Sequence, residues 1–88
     1  MDRFIVIHGV RPGTTQDETW EAAHAIATSA TGGARWLRSY FVPEREEMIC
    51  DWEAPNEAAI RRSVKRFEDV VPIKEIHPVV YVDPGLFK

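Results

Sequence analysis

A chain of 88 residues can build one modest core, so a single domain spanning 1–88 is expected, with on the order of 40% of the unfolded chain's surface left exposed. A composition of 44% hydrophobic and 28% charged residues excludes disorder, and a formal net charge of −3 argues against a nucleic-acid partner, which would need a basic field. The longest apolar run, Phe4 to Ile7, is too short for a bilayer or a secretory leader, and the single Cys50 excludes an internal disulfide, so a cytoplasmic location is expected.

Residues 3–10, "RFIVIHGV", are β-branched and apolar on both faces, which predicts a central strand ended by Pro12 and Gly13. Thr15 followed by Glu18 has the form of a capping box, and it opens an Ala-rich helix that Gly32 and Gly33 terminate. Trp20, Ala23, His24, Ala27 and Ala30 recur at helical spacing and predict its buried stripe. Next, "ARWLRSYFV" reads as a strand with Trp36, Arg38, Tyr40 and Val42 on one face and Leu37, Ser39 and Phe41 on the other. Pro43 closes it, and a turn leads to "EMICDWEA", in which Met48, Cys50 and Trp52 share a face. These two strands form a hairpin.

Pro55 suits the first turn of a second helix, with Ile60, Val64, Phe67 and Val71 facing inward until Pro72 stops it. The last run, "IKEIHPVVYV", contains Pro78, which cannot donate to a ladder and so places this strand at a sheet edge. The order βαββαβ is the ferredoxin-like α+β pattern, a four-stranded antiparallel sheet with two helices on one face. The first and third strands are expected as central, parallel neighbours. Ile5, Ile7, Leu37, Phe41 and Ile49 fall on the face away from the helices, and a second copy of the chain, sheet against sheet, is the simplest cover for them. A homodimer is therefore expected.

Chemistry-bearing side chains are few: three histidines, one cysteine and the carboxylates Asp51 and Glu53. No local metal motif and no phosphate-binding glycine loop occurs, so nucleotide chemistry is not expected. His8 and Cys50 lie on adjacent strands, and His24 on the inward stripe of the first helix would point at the same face. Imidazole and thiolate together suit borderline-soft ions such as Ni²⁺, Zn²⁺ or Cu²⁺. The same residues are also compatible with a packed core and no site at all, free cysteine being among the most buried residue types. A third reading is a small-molecule binder or enzyme of the dimeric α/β-barrel type, with a pocket between sheet and helices and His24 or His8 reaching it.

"FIVIHGV", "EAAHAIA", "RWLRSYF" and above all "MICDWEAPNEAAIR" resemble a domain-of-unknown-function family of small bacterial proteins labelled nickel-binding. The resemblance covers nearly the whole chain. It implies ferredoxin-like protomers that dimerise, nickel or another divalent transition metal as the bound species, and His8, His24 and Cys50 as the metal ligands. Family members commonly carry a histidine where this chain has Ser63. Ser63 or water is accordingly expected to complete the ligand shell. Independently of the resemblance, Trp52 as a cavity-lining aromatic and Tyr40 as a hydroxyl able to orient a ligand are expected around the pocket as supporting residues.

Overall fold

The computed structural model describes residues 2–88. Its elements run β1 (Asp2–Gly9), α1 (Gln16–Ser29), β2 (Arg35–Val42), β3 (Glu47–Ala54), α2 (Glu57–Val64) and β4 (Ile73–Val79), with short 3₁₀ turns at Pro43–Arg45, Lys65–Phe67 and Pro84–Phe87. The strands form one sheet in the order β2-β3-β1-β4, the ferredoxin-like arrangement expected from the order of elements. Pro78 lies in β4, which is an edge strand paired only with β1. No helix among the described residues is long and apolar enough to cross a membrane.

All three strand pairings are antiparallel, with Val6 opposite Cys50 and His8 opposite Met48 in the central β1–β3 pair. The expected parallel β1–β3 pairing is therefore corrected. The crossover through α1 makes β2 parallel to β1, and the tight turn after β2 reverses β3, which then enters between them. His8, near the end of β1, thus meets the beginning of β3, and Cys50 lies two residues beyond its partner Met48.

The helix-facing side of the sheet carries Phe4, Val6 and His8 from β1 and Met48, Cys50, Trp52 and Ala54 from β3, all buried. Ile60 and Val64 of α2 are fully buried against this layer, which fits their spacing at i and i+4. Asn56 caps α2, its Oδ1 accepting from Ala59 N at 2.9 Å. Pro55 accordingly sits before the cap, outside the first turn where the sequence pattern places it. The chain leaves the helix after Val64, so Phe67 and Val71 reach the core from the turns that follow.

Two further corrections concern facing. Thr15 caps α1 as expected, accepting from Glu18 N at 3.1 Å, but the helix buries Ala22 and Ile26, with Thr19 and Ala23 beside them at a cavity wall. Ile26 is the one large aliphatic side chain of α1, and its burial sets the helix rotation. His24 is two residues from both Ala22 and Ile26, about 200° around the axis, and is exposed together with Ala27 and Trp20. In β2 the register shifts between Trp36 and Arg38. This bulge flips the alternation, so Trp36, Ser39 and Phe41 pair with Trp52, Cys50 and Met48 on the helix side, and Arg38 and Tyr40 face outward.

The outer sheet face is mixed. Ile5, Ile7 and Ile49 are half-buried, while Arg3 holds Asp51 at 2.7 Å and lies 4.7 Å from the centre of the Tyr81 ring. Beyond β4, Val80, Tyr81, Val82, Leu86 and Phe87 are exposed.

Candidate metal-binding pocket

His8 and Cys50 line one cavity of about 20 Å³ between the sheet and the helices, together with Met48, Trp36 and Trp52. A volume of this size holds one water-sized body. The backbone fixes the imidazole. Gly9 N donates to Pro72 O at 2.9 Å and Arg11 N to Val70 O at 3.1 Å, pinning the segment that follows α2 across the end of β1. The Val71 carbonyl then accepts from His8 Nδ1 at 2.9 Å. With Nδ1 committed as donor, Nε2 is left as the acceptor nitrogen. Burial pushes the His8 pKa down, an effect that the Val71 hydrogen bond partly opposes, so the ring is neutral at pH 7.

A chain of donors ends on the sulfur. Trp36 Nε1 donates to Ser39 Oγ at 2.6 Å, and Ser39 Oγ donates to Cys50 Sγ at 2.9 Å. The Ser39 bond favours the thiolate, but desolvation outweighs it and the Cys50 pKa is pushed up to about 11. Cys50 is consequently a neutral thiol at pH 7 and a poor nucleophile; it ionises there only if a cation takes the place of its proton. Trp52 is 1% exposed, and its Nε1 has no hydrogen-bond partner.

The other expected site residues lie elsewhere. His24 stands on the exposed face of α1 and lines neither this cavity nor the cleft beside it. Ser63 is buried, but its hydroxyl donates to Ala59 O at 2.8 Å and accepts from Thr31 N at 3.1 Å, tying α2 to the turn after α1. Its lone pairs and proton serve the backbone, away from the cavity. Tyr40 faces outward at 65% exposure because of the β2 bulge. His77 is exposed and touches Glu75 at 2.9 Å. Among the described residues no three His, Cys, Asp or Glu side chains come together.

Sequence reasoning missed the parts that only the pairing reveals: Met48 between the two donors, the Val71 carbonyl, and the Ser39–Trp36 relay. The grouping of Met48 with Cys50 on one strand face was the available signal. Glu47, the buried carboxylate, has a depressed pKa, chiefly through its hydrogen bond to Lys74 and with help from Arg45. It lies at one end of the central strand β3 and does not line the cavity.

A second, open cleft of about 390 Å³ adjoins the cavity and shares Thr19 and Met48 with it. Trp20 and Phe41 flank this cleft, and Thr14, whose Oγ1 has no partner, lies in its wall.

The family model described as "Nickel responsive protein SCO4226-like" matches residues 4–79. Among solved structures, the crystal structure of SCO4226 from Streptomyces coelicolor A3(2) matches with a TM-score of 0.72 at 23% sequence identity, covering 92% of this chain and 99% of that one. At that identity the likeness shows the shared fold. A comparison with curated proteins returned no match.

Proposed function

Starting from a chain that belongs to the SCO4226-like family of nickel responsive proteins, we propose a small cytoplasmic protein that binds one transition-metal ion through His8 and Cys50, nickel being the ion the family's description suggests. One observation carries the reading: an imidazole with a free acceptor nitrogen and a thiol line the same ion-sized cavity. The donor types fit a borderline-soft ion, which would supply binding and no covalent step. His24 is outside this site and Ser63 is engaged by backbone, so solvent is left to complete the shell of a divalent ion.

Titration calorimetry of tag-free protein with NiCl₂ tests the proposal. His8→Ala and Cys50→Ala should each weaken binding roughly tenfold or more, whereas His24→Ala should leave it unchanged. Wild-type affinity in both cavity variants would refute it.

The reading includes a homodimer. The half-buried isoleucines of the outer face and the exposed apolar segment from Val80 to Phe87 support a second copy as their cover. Sedimentation at micromolar concentration should return twice the 10.1 kDa chain mass, and a monomer would remove this part of the proposal. The cleft of about 390 Å³ between Trp20 and Phe41 supports a second reading, an organic ligand held between aromatic side chains. In that case Trp20→Ala would abolish thermal shifts produced by planar aromatic compounds.

A further inference from the structure

We infer that the cavity is a three-donor site for a soft monovalent ion, Cu⁺ by chemical class, held by His8 Nε2, Met48 Sδ and Cys50 Sγ in preference to Ni²⁺. The inference rests on the reading of His8 and Cys50 as metal donors and adds the third ligand and the class of ion. His8 lies directly opposite Met48 in the β1–β3 pair, and Cys50 follows two residues along on the same face. All three side chains are buried, and all three line the cavity of about 20 Å³.

Three arguments favour a monovalent ion. The first is donor type, since one thiolate, one thioether and one imidazole form a soft set that suits Cu⁺, whereas carboxylates and water suit harder ions. The second is charge. No Asp, Glu, Lys or Arg lines the cavity, and an imidazole ligates a metal as the neutral ring, so a Cys50 thiolate is the sole negative charge an ion would meet there. Cu⁺ with one thiolate is a neutral buried unit; Ni²⁺ with one thiolate leaves a net positive charge in an apolar wall, which desolvation penalises. The third is coordination number. The cavity has room for one ion-sized body and three donor side chains line it, which meets the needs of Cu⁺, whereas Ni²⁺ would have to draw the rest of its shell from solvent.

Binding involves no change of oxidation state. The Cys50 S–H bond breaks, a Cu–S bond forms, and the proton leaves to solvent. Trp36 and Trp52 line the same cavity, so occupancy should quench their fluorescence.

Anaerobic titration with Cu⁺ against a colorimetric Cu⁺ chelator, set beside the NiCl₂ titration, tests this. Cu⁺ should bind at one equivalent per chain, far more tightly than Ni²⁺. Met48→Leu, close in volume and apolar, should weaken Cu⁺ roughly tenfold or more with Ni²⁺ affinity little changed. X-ray absorption of Cu⁺-loaded selenomethionine protein supplies a readout that does not depend on a variant's folding, and it should show selenium as a direct copper neighbour. Absence of that neighbour, or Cu⁺ binding no tighter than Ni²⁺, would overturn the inference while leaving Ni²⁺ binding through His8 and Cys50 intact. Indifference of both ions to His8→Ala and Cys50→Ala would defeat the two readings together.

Discussion

Cys50 offers a direct test of how strongly the cavity excludes charge. In metal-free protein its thiol ionises at about 11, against 9.0 when exposed. Because the folded pKa is raised, the folded state holds the proton over a pH range in which the unfolded state has already released it. Stability is therefore intact below the unfolded value and is lost as pH rises toward the folded one. A gap of about two units corresponds to about 2.7 kcal/mol once both states are ionised, at 1.36 kcal/mol per unit. At pH 10 the unfolded thiol is about nine-tenths ionised and the folded thiol about one-tenth, so about 1.4 kcal/mol should already be gone. Comparison with Cys50→Ala isolates the thiol, because every other ionisable group is common to the two proteins. Urea unfolding with a chelator present, at pH 7.5 and pH 10, should show the wild type losing about 1.4 kcal/mol more than the variant. An unchanged difference between the two proteins would mean that the sulfur reaches solvent, and the account of a dry cavity would fail.

Four other outcomes follow from the packing. Ile60→Ala empties a fully buried site on α2 and should cost about 2–5 kcal/mol in denaturant unfolding. Asn56→Ala removes the cap of an eight-residue helix and should lower stability by about 1 kcal/mol, readable as a fall in the urea midpoint with an unchanged slope. Gly32 has φ +66° and a Cβ there would come within 3.0 Å of the Arg62 guanidinium, so Gly32→Ala should lower the melting temperature through left-handed strain and crowding. His8, with its pKa depressed mainly by burial, stabilises the fold above the ordinary histidine range. Metal-free protein should therefore lose stability as pH falls below about 6.5, and His8→Gln should flatten that loss.

How much of this was legible in the chain differs by element. Strand and helix order could be read from Pro12, Gly13, the Thr15–Glu18 cap, Pro43, Pro72 and Pro78, because each acts through its own backbone and needs no partner. Facing was legible where one face had a clear excess of large side chains, as in Met48, Cys50 and Trp52. It failed on α1, where Ala dominates and alanine at neighbouring angles carries nearly equal hydrophobic weight. There the burial of Ile26 against the sheet decided the rotation and carried His24 out to solvent. It failed on β2 as well, because a bulge is a property of a pair of strands, and the alternation within "RWLRSYF" does not reveal the partner's register.

The sequence by itself determined the element order and the edge position of the Pro78 strand, since these depend on residue type and local spacing, and it offered His8, His24 and Cys50 together as candidate donors without separating them. Only the tertiary structure decided which side chains share the cavity. Antiparallel pairing set Met48 opposite His8, the segment after α2 fixed the tautomer of that histidine, and the Thr31 contact engaged Ser63. Each of these depends on backbone brought together from distant parts of the chain, a geometry that a linear pattern of residue types does not contain.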